Sequence, residues 1–158
     1  MKALGPEGSL MMITRATEYA SLTMLYLAKQ PAGKLSYTAE IAEAEHIPPA
    51  FLVKVIPRLV KAGLVVSRRG SSGGIELAKD PRTVTLRHVL EAMEGEVAAN
   101  VCTSSQPYQC HKTGCSLKGV FAKAQAQYLE ALDSVTLSEL AGLGADDSIR
   151  SLPVGSGT

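Results

Sequence analysis

The sequence predicts a mainly α-helical protein with a small β-hairpin, arranged as a winged helix-turn-helix domain followed by a long dimerisation helix. Three observations support this fold class. Helical periodicity runs through three short segments between residues 11 and 63, and strand-like periodicity replaces it in residues 64–79 around a Gly/Ser turn. Residues 116–134 then carry a long apolar stripe at helical spacing. Three helices followed by a two-stranded wing form the element order of a winged helix-turn-helix.

The ends of the first two segments carry residues typical of helix caps. Helix one is predicted over residues 11–29, with Thr14 as its N-cap. Helix two is predicted over residues 36–47, with Ser36 or Thr38 as its N-cap. In each case a hydroxyl can accept a hydrogen bond from backbone N–H groups that have no partner within the first turn.

The third helix and the wing follow directly. The helix is predicted over residues 48–63, since two prolines stand at its start and Gly63 at its end. Pro57 within it predicts a kink or an early end, because proline lacks the N–H that continues a helix. Residues 64–68 and 75–78 are predicted to be the two strands of the wing.

The C-terminal half is predicted to contain a fourth helix over residues 86–95, a long helix over residues 116–134 and a short last helix capped by Thr136. An apolar stripe on the long helix favours packing against a partner helix, so we expect a homodimer. The alternative is that this helix folds back on its own domain. The stripe consists of Leu117, Val120, Phe121, Ala124, Tyr128, Ala131 and Leu132.

These elements divide the chain into three parts. A winged helix-turn-helix DNA-binding domain spans residues 11–95, a cysteine-containing loop spans residues 96–115, and a dimerisation helix with a short last helix spans residues 116–143. The terminal residues 1–10 and 144–158 lack a helical or strand pattern and are predicted to be flexible tails.

Composition limits the class of protein. No segment approaches the roughly 18 consecutive apolar residues of a membrane span, and the N-terminal residues lack the apolar region of a secretory signal. We therefore expect a cytoplasmic protein without a membrane partner, in which thiols stay reduced. No set of titratable residues indicates a catalytic pocket, so an enzyme is not expected.

The charge distribution predicts a polyanion-binding surface. The segment from His46 to Ile75 contains no Asp or Glu and carries a net charge of +5, although the whole chain carries only +1. A basic block of this kind is typical of proteins that bind double-stranded DNA, although a merely solvated face is the alternative. The candidate DNA-binding residues are Ala50, Lys54, Arg58 and Lys61 on helix three and Arg68, Arg69, Ser71 and Ser72 on the wing.

All three cysteines of the chain, Cys102, Cys110 and Cys115, lie in one turn-rich loop. Reduced thiols make a disulfide less plausible than metal binding or redox sensing. Structural zinc sites usually contain closely spaced cysteine pairs, which this loop lacks, whereas iron–sulfur ligation tolerates wider spacings. Three thiolates leave one ligand position open, for which His111 is a local candidate.

The chain resembles the Rrf2 superfamily of winged-helix regulators, over residues 11 to 143. The resemblance rests on "MMITRATEYA", on "PPAFLVKVIPRLVKAGLV" leading into "SRRGSSGGIELAK", and on the three-cysteine loop before a long helix. It implies a dimer formed by the long helix. It also implies a [2Fe-2S] or [4Fe-4S] iron–sulfur cluster held by Cys102, Cys110 and Cys115, near the partner's DNA-binding domain.

The resemblance also bears on the fourth ligand. IscR-like members carry a histidine three residues after the last cysteine, where this chain has Lys118. NsrR-like members use a carboxylate near the start of helix one, donated by the other subunit, and the matching residue here is Glu18. The cysteine spacing is closer to that of the iron-responsive RirA type. Glu18 is therefore the predicted fourth ligand, with His111, water or a small thiol as alternatives.

Together these observations predict a dimeric, iron–sulfur-dependent transcription regulator that binds a two-fold-symmetric operator and senses iron, redox state or nitric oxide. One alternative is a cluster-free, thiol-sensing regulator of the same family. The other is a small metal-binding redox protein without a DNA role.

Overall fold

Six α-helices and one β-hairpin form the part of the chain that the computed structural model describes, residues 13–108 and 110–142. The elements are α1 (Arg15–Ala28), α2 (Thr38–Ala44), α3 (Pro49–Lys61), β1 (Val65–Arg68), β2 (Gly74–Leu77), α4 (Leu86–Glu94), α5 (Ser116–Asp133) and α6 (Leu137–Gly142). Two short 3-10 turns, Pro81–Thr83 and Val101–Thr103, lie in the connections. This order confirms the predicted fold class. The two predicted flexible tails lie outside the described residues.

One hydrophobic core joins the helices of the winged domain. Met24 of α1, Leu52 and Leu59 of α3 and Val89 of α4 are all fully buried, and the wing adds Val65 from β1. The last short helix packs into the same core. Its Leu137 is fully buried, and α6 contacts α1 directly. The chain thus returns to the winged domain after the long helix α5.

The caps of α1 and α2 differ in how well the sequence predicts them. Thr14 is the N-cap of α1, since its hydroxyl accepts a hydrogen bond from the backbone N–H of Thr17 at 3.2 Å, as predicted. The prediction for α2 is wrong, because the N-cap is Tyr37 rather than Ser36 or Thr38. The Tyr37 N–H donates to the Glu40 carboxylate at 3.0 Å instead.

Pro57 neither ends nor shortens α3, which continues to Lys61. A proline in a helix leaves the carbonyl four residues earlier without its usual partner. That carbonyl belongs to Val53, a residue that is 71% exposed. Gly63 then follows the helix with φ at +68°, the left-handed conformation expected just after a helix end.

The wing is attached to the domain by a contact that the sequence analysis did not predict. β1 and β2 pair antiparallel, from Val65 opposite Leu77 to Arg68 opposite Gly74. On the other edge of β2, Ser36 and Ile75 exchange two backbone hydrogen bonds of 2.9 Å. This bridge holds the wing against the segment between α1 and α2, and it draws Ser36 away from a capping role.

The described helices include none that is both long and apolar enough to span a membrane.

Candidate nucleic-acid interface and cysteine loop

The outer face of α3 is the side of the helix opposite the residues that it buries in the core. Leu52, Val55 and Leu59 point into the core. Ala50, Lys54 and Lys61 recur at steps of four and seven residues, which places them together on the opposite, exposed side of the helix. The structure therefore brings three of the four predicted α3 contacts onto one surface.

Val53 belongs to the same outer face and was missed by the sequence analysis. Val53 is 71% exposed, although valine is among the residue types that are most often buried. In a DNA-binding helix an apolar side chain can contact the methyl group of thymine. Helical spacing alone could have identified it, because Val53 follows Ala50 by three residues and precedes Pro57 by four.

Arg58 lies at the edge of this face, and its side chain contacts α4 of the same chain. Its guanidinium donates a hydrogen bond of 2.6 Å to the backbone carbonyl of Met93, in the last turn of α4. That carbonyl is one of the four at a helix C-terminus that lack a partner within the helix. The assignment of Arg58 as a DNA contact stays a prediction.

The two wing arginines have different surroundings. The Arg68 guanidinium lies 2.8 Å from the carboxylate of Glu76, on the neighbouring strand. Arg69 forms no ion pair within residues 13–108 and 110–142, and it is exposed. The Ser71 carbonyl accepts a hydrogen bond of 3.2 Å from the Tyr37 hydroxyl, and Ser72 is exposed at the tip.

The first half of the cysteine loop is held against α5. Cys102 lies in the 3-10 turn Val101–Thr103 and is partly buried. The Gln125 side chain brackets this turn, since its oxygen accepts from the N–H of Ala99 at 2.9 Å and its amide nitrogen donates to the Thr103 carbonyl at 3.4 Å. This half of the loop is thus positioned by a side chain of the long helix.

A second contact closes the same half of the loop on itself. The carboxylate of Glu96 accepts hydrogen bonds from the Ser105 N–H at 2.6 Å and from its hydroxyl at 2.7 Å. The backbone from residue 96 to residue 105 is therefore tied at both ends. Hydrogen bonds from Glu96 and from Gln125 together therefore hold the loop up to Ser105.

The second half of the loop is more open. Cys110 and His111 are exposed, and Cys115 is the residue immediately before α5. All three thiols are free of disulfides.

The predicted ligand set is not assembled within a single chain. No three side chains of the His, Cys, Asp and Glu types converge among the described residues. Cys102 is held by contacts with α5, while Cys115 is held at the start of that helix, and no contact draws these two thiols together. The expectation of a site formed by Cys102, Cys110 and Cys115 is therefore not confirmed in the isolated chain.

Glu18 lies in the first turn of α1, where the helix dipole favours a carboxylate. Its side chain is 48% exposed and pairs with the Arg15 guanidinium at 2.8 Å. An exposed pair at this spacing contributes little to stability, about 0.2–0.5 kcal/mol. The carboxylate is therefore accessible from outside the chain.

The apolar stripe on α5 has some side chains that pack against the same chain and others that are exposed to solvent. Phe121, Tyr128 and Leu132 are partly buried against the rest of the chain, and α5 contacts α4. Burial raises the pKa of Tyr128, whose hydroxyl has no hydrogen-bond partner in the described part of the chain. The remaining members of the stripe are exposed: Leu117, Val120, Ala124 and Ala131.

Known proteins of similar sequence were found along nearly the whole chain. Residues 13–142 match the Rrf2 family, described as an iron-dependent transcriptional regulator. The HTH-type transcriptional regulator NsrR of Shouchella clausii is 36% identical over 138 residues, covering 87% of this chain and 92% of that protein. The NsrR of Halalkalibacterium halodurans is 34% identical over 143 residues, covering 90% and 97%.

Solved structures agree with the described fold. CymR, the global cysteine regulator of B. subtilis, superposes with a TM-score of 0.69 at 25% identity, covering 83% of this chain and 96% of that one. IscR of T. potens superposes with a TM-score of 0.66 at 26% identity, covering 91% and 93%.

Proposed function

Because the chain belongs to the Rrf2 family of winged-helix transcription regulators, we propose that it binds a two-fold-symmetric operator as a homodimer under the control of an iron–sulfur cluster on its cysteine loop. Family membership leaves no support for the alternative of a redox protein without a DNA role. The observation that carries the proposal is the position of the cysteine loop, which joins the end of the winged domain to the start of α5.

The proposed DNA-binding surface consists of the outer face of α3 and the wing. Lys54, Lys61 and Arg69 are exposed and form no ion pair within the part of the chain that the structure describes. Unpaired cations on a helix and an adjacent wing suit phosphate binding, and release of counterions from DNA would supply much of the affinity. Ala50 and Val53, on the same outer face of α3, would face base edges.

The chemistry of the loop fits a cluster even though one chain does not assemble the site. Cys102, Cys110 and Cys115 are three free thiols within 14 residues, partly or fully exposed to solvent. Thiolates are the usual ligands of iron–sulfur clusters. When bound, a cluster would supply a centre that reacts with oxidants or nitric oxide and responds to iron supply. The open second half of the loop is the part that would rearrange to bring its thiols to Cys102.

We propose Glu18 of the partner subunit as the fourth ligand. Glu18 is exposed at the start of α1 in each subunit. Its ion pair with Arg15 is weak enough for the carboxylate to leave Arg15 and bind iron instead. A carboxylate is a hard ligand beside soft thiolates, so this position would be the most easily displaced. His111, which is exposed within the loop itself, is the competing ligand.

The proposed dimer is formed through the exposed part of the α5 stripe. Leu117, Val120, Ala124 and Ala131 recur at steps of three, four and seven residues, the spacing of a helix seam. Leu117 is 57% and Val120 63% exposed, so a second copy would remove substantial apolar area from water. Sedimentation of the wild type and of Val120→Glu checks this part, since the charged variant should dissociate.

A cluster-free thiol sensor of the same family is the second candidate. Its support is the chemistry of the loop, whose three thiols are free of disulfides. One structural relative is described as a global cysteine regulator, which also suits a function based on free thiols. Both candidates place the sensing chemistry in the loop and in a reducing, cytoplasmic setting.

Purification under anaerobic conditions distinguishes the two candidates. The cluster proposal expects brown protein that contains iron and sulfide in comparable amounts. Alanine at any one of Cys102, Cys110 or Cys115 should bleach this colour and leave the protein dimeric. Colourless protein with intact operator binding would favour the thiol sensor, and stoichiometric zinc would contradict both.

The Glu18 ligand is tested separately. Glu18→Ala should keep the colour but make the cluster more labile to chelators, whereas His111→Ala should change little. In a mixed dimer, one subunit carries Glu18→Ala and the other lacks the three cysteines. The one intact loop then faces the partner's unchanged Glu18, so a cluster as labile as that of Glu18→Ala would exclude donation by the partner.

A further inference from the structure

Two adjacent residues at the end of α4 contact two different helices of the winged domain. The Met93 carbonyl accepts the hydrogen bond of 2.6 Å from the guanidinium of Arg58 on α3. The Glu94 carboxylate accepts a hydrogen bond of 2.5 Å from the hydroxyl of Thr14, the N-cap of α1, and another from the hydroxyl of Thr17. The end of α4 is therefore bonded both to the proposed DNA-reading helix and to the first turn of α1.

The cysteine loop begins immediately beyond these two residues. Gly95 ends α4 with φ at +80°, and Glu96 is the residue whose carboxylate holds Ser105. One residue thus separates the contacts at the end of α4 from the hydrogen-bonded half of the loop that carries Cys102. A displacement of that half of the loop would therefore move the end of α4, and with it the Met93 carbonyl that Arg58 of α3 contacts.

Charge favours both contacts. The C-terminus of a helix carries partial negative charge and the N-terminus partial positive charge, so Arg58 suits the end of α4 and Glu94 suits the start of α1. A hydrogen bond with one ionised partner is roughly twice as strong as a neutral one. The usual distance between donor and acceptor extends to about 3.2 Å, so a shift of less than 1 Å would take the bond from Arg58 to Met93 out of this range.

We propose that the end of α4 couples the cysteine loop to α3, and that Arg58 is a positioning residue for α3 rather than a phosphate contact. This inference rests on the proposed function. A change in the loop displaces Met93 and Glu94 together. The loss or gain of the Arg58 hydrogen bond then alters how α3 is held, while Glu94 transmits the same displacement to the first turn of α1.

A matched pair of variants on α3 tests this assignment. Arg58→Met and Lys54→Met each remove one positive charge and keep an unbranched stem. Operator affinity is measured over a range of salt concentrations with the loop thiols reduced and, separately, alkylated with N-ethylmaleimide. A second measurement is the alkylation rate of Cys102 with and without operator DNA, which reports whether DNA binding changes the accessibility of this thiol.

The coupling role predicts a specific pattern. Wild-type affinity should change by about five-fold or more between the two thiol states, the lower end of typical coupling between sites. Arg58→Met should reduce that ratio to within about two-fold and leave the salt dependence unchanged. Lys54→Met should retain the ratio and reduce the salt slope by about 0.9, the contribution of one phosphate contact.

Glu94→Gln provides a second variant that keeps the hydrogen-bond acceptor and removes the charge. It should lower the ratio between the two thiol states without changing the salt slope. A reduced salt slope in Arg58→Met, with the wild-type ratio retained, would overturn the proposal and make Arg58 a phosphate contact.

The same measurements on the wild-type protein distinguish failure of the coupling from failure of the proposed function. Operator binding that is equal in both thiol states, with no effect of DNA on Cys102 alkylation, would overturn the coupling and leave DNA binding intact. No operator binding in either thiol state would overturn both.

Discussion

Arg68 and Glu76 form an ion pair of 2.8 Å between the two strands of the wing, and the Glu76 side chain is only 15% exposed. One of the two wing arginines is thus already paired within the protein. Glu76 stands one residue beyond the acid-free basic segment, so a count of charges along the sequence does not include it. The positive charge that the wing offers to DNA therefore depends mainly on Arg69.

Arg69→Ala should weaken operator binding more than Arg68→Ala. Loss of one phosphate contact reduces the salt slope of log affinity by about 0.9, and this reduction is expected for Arg69→Ala. Glu76→Gln should strengthen binding, because it releases the Arg68 guanidinium and removes a negative charge near the DNA. Titrations of labelled operator at several salt concentrations measure all three variants. Equal losses for the two alanine variants would mean that Arg68 leaves Glu76 when DNA binds.

Gly74→Ala should destabilise the winged domain by about 1–3 kcal/mol, the usual range for a strained backbone position. Gly74 has φ at +148°, and an added Cβ would lie 2.9 Å from the backbone oxygen of Ser36. The substitution would therefore strain the bridge that holds the wing. Chemical denaturation measures the change. Gly119→Ala is the control, since a Cβ there meets nothing within 4 Å, and alanine should stabilise the helix by about 0.5–1 kcal/mol.

Gln125→Ala should increase the alkylation rate of Cys102. The variant removes both hydrogen bonds that bracket the 3-10 turn Val101–Thr103, so the partly buried thiol becomes more accessible. Mass spectrometry after brief treatment with iodoacetamide gives the rate for each cysteine. Gln127→Ala, an exposed position on the same helix, should leave it unchanged. A similar increase at the already exposed Cys110 would indicate general loosening of the loop instead.

Acid should weaken the attachment of α5 to α4 through Asp133. Burial opposes ionisation of Asp133, but hydrogen bonds from Arg87 and Thr85 outweigh it and lower the pKa of this carboxyl below its usual 3.8. A lowered carboxyl pKa adds stability that is present above pH 3.8 and is lost as the pH falls through the folded-state pKa. Denaturation at pH 7 and near pH 3 measures this effect.

Asp133→Asn should be less stable than the wild type at pH 7, and the difference should diminish in acid. Asp80→Asn is a comparison, because the pKa of Asp80 is lowered to about 2 by Arg82, two residues along the chain. A difference between Asp133→Asn and the wild type that persists unchanged in acid would show that the carboxylate charge has no part in it.

Local patterns in the sequence determine the elements of this protein. Apolar spacing locates the helices, Thr14 marks the start of α1, Gly95 marks the end of α4, and a Gly/Ser turn separates two short strands. These signals depend on residues within a few positions of one another, since helix caps and turns satisfy backbone groups locally. The sequence also determines the outer face of α3, because helical spacing alone places Lys54 and Lys61 opposite Leu52 and Leu59.

The tertiary structure alone decides which of these residues are already engaged. Arg58 bonds to a carbonyl 35 positions away, and Leu137 enters a core built mainly from residues 20–93. Ser36 pairs with Ile75 instead of capping α2, and Cys102 depends on Gln125 for its position. A buried or hydrogen-bonded contact of this kind depends on how the elements pack, and packing joins residues whose separation along the chain carries no periodic signal.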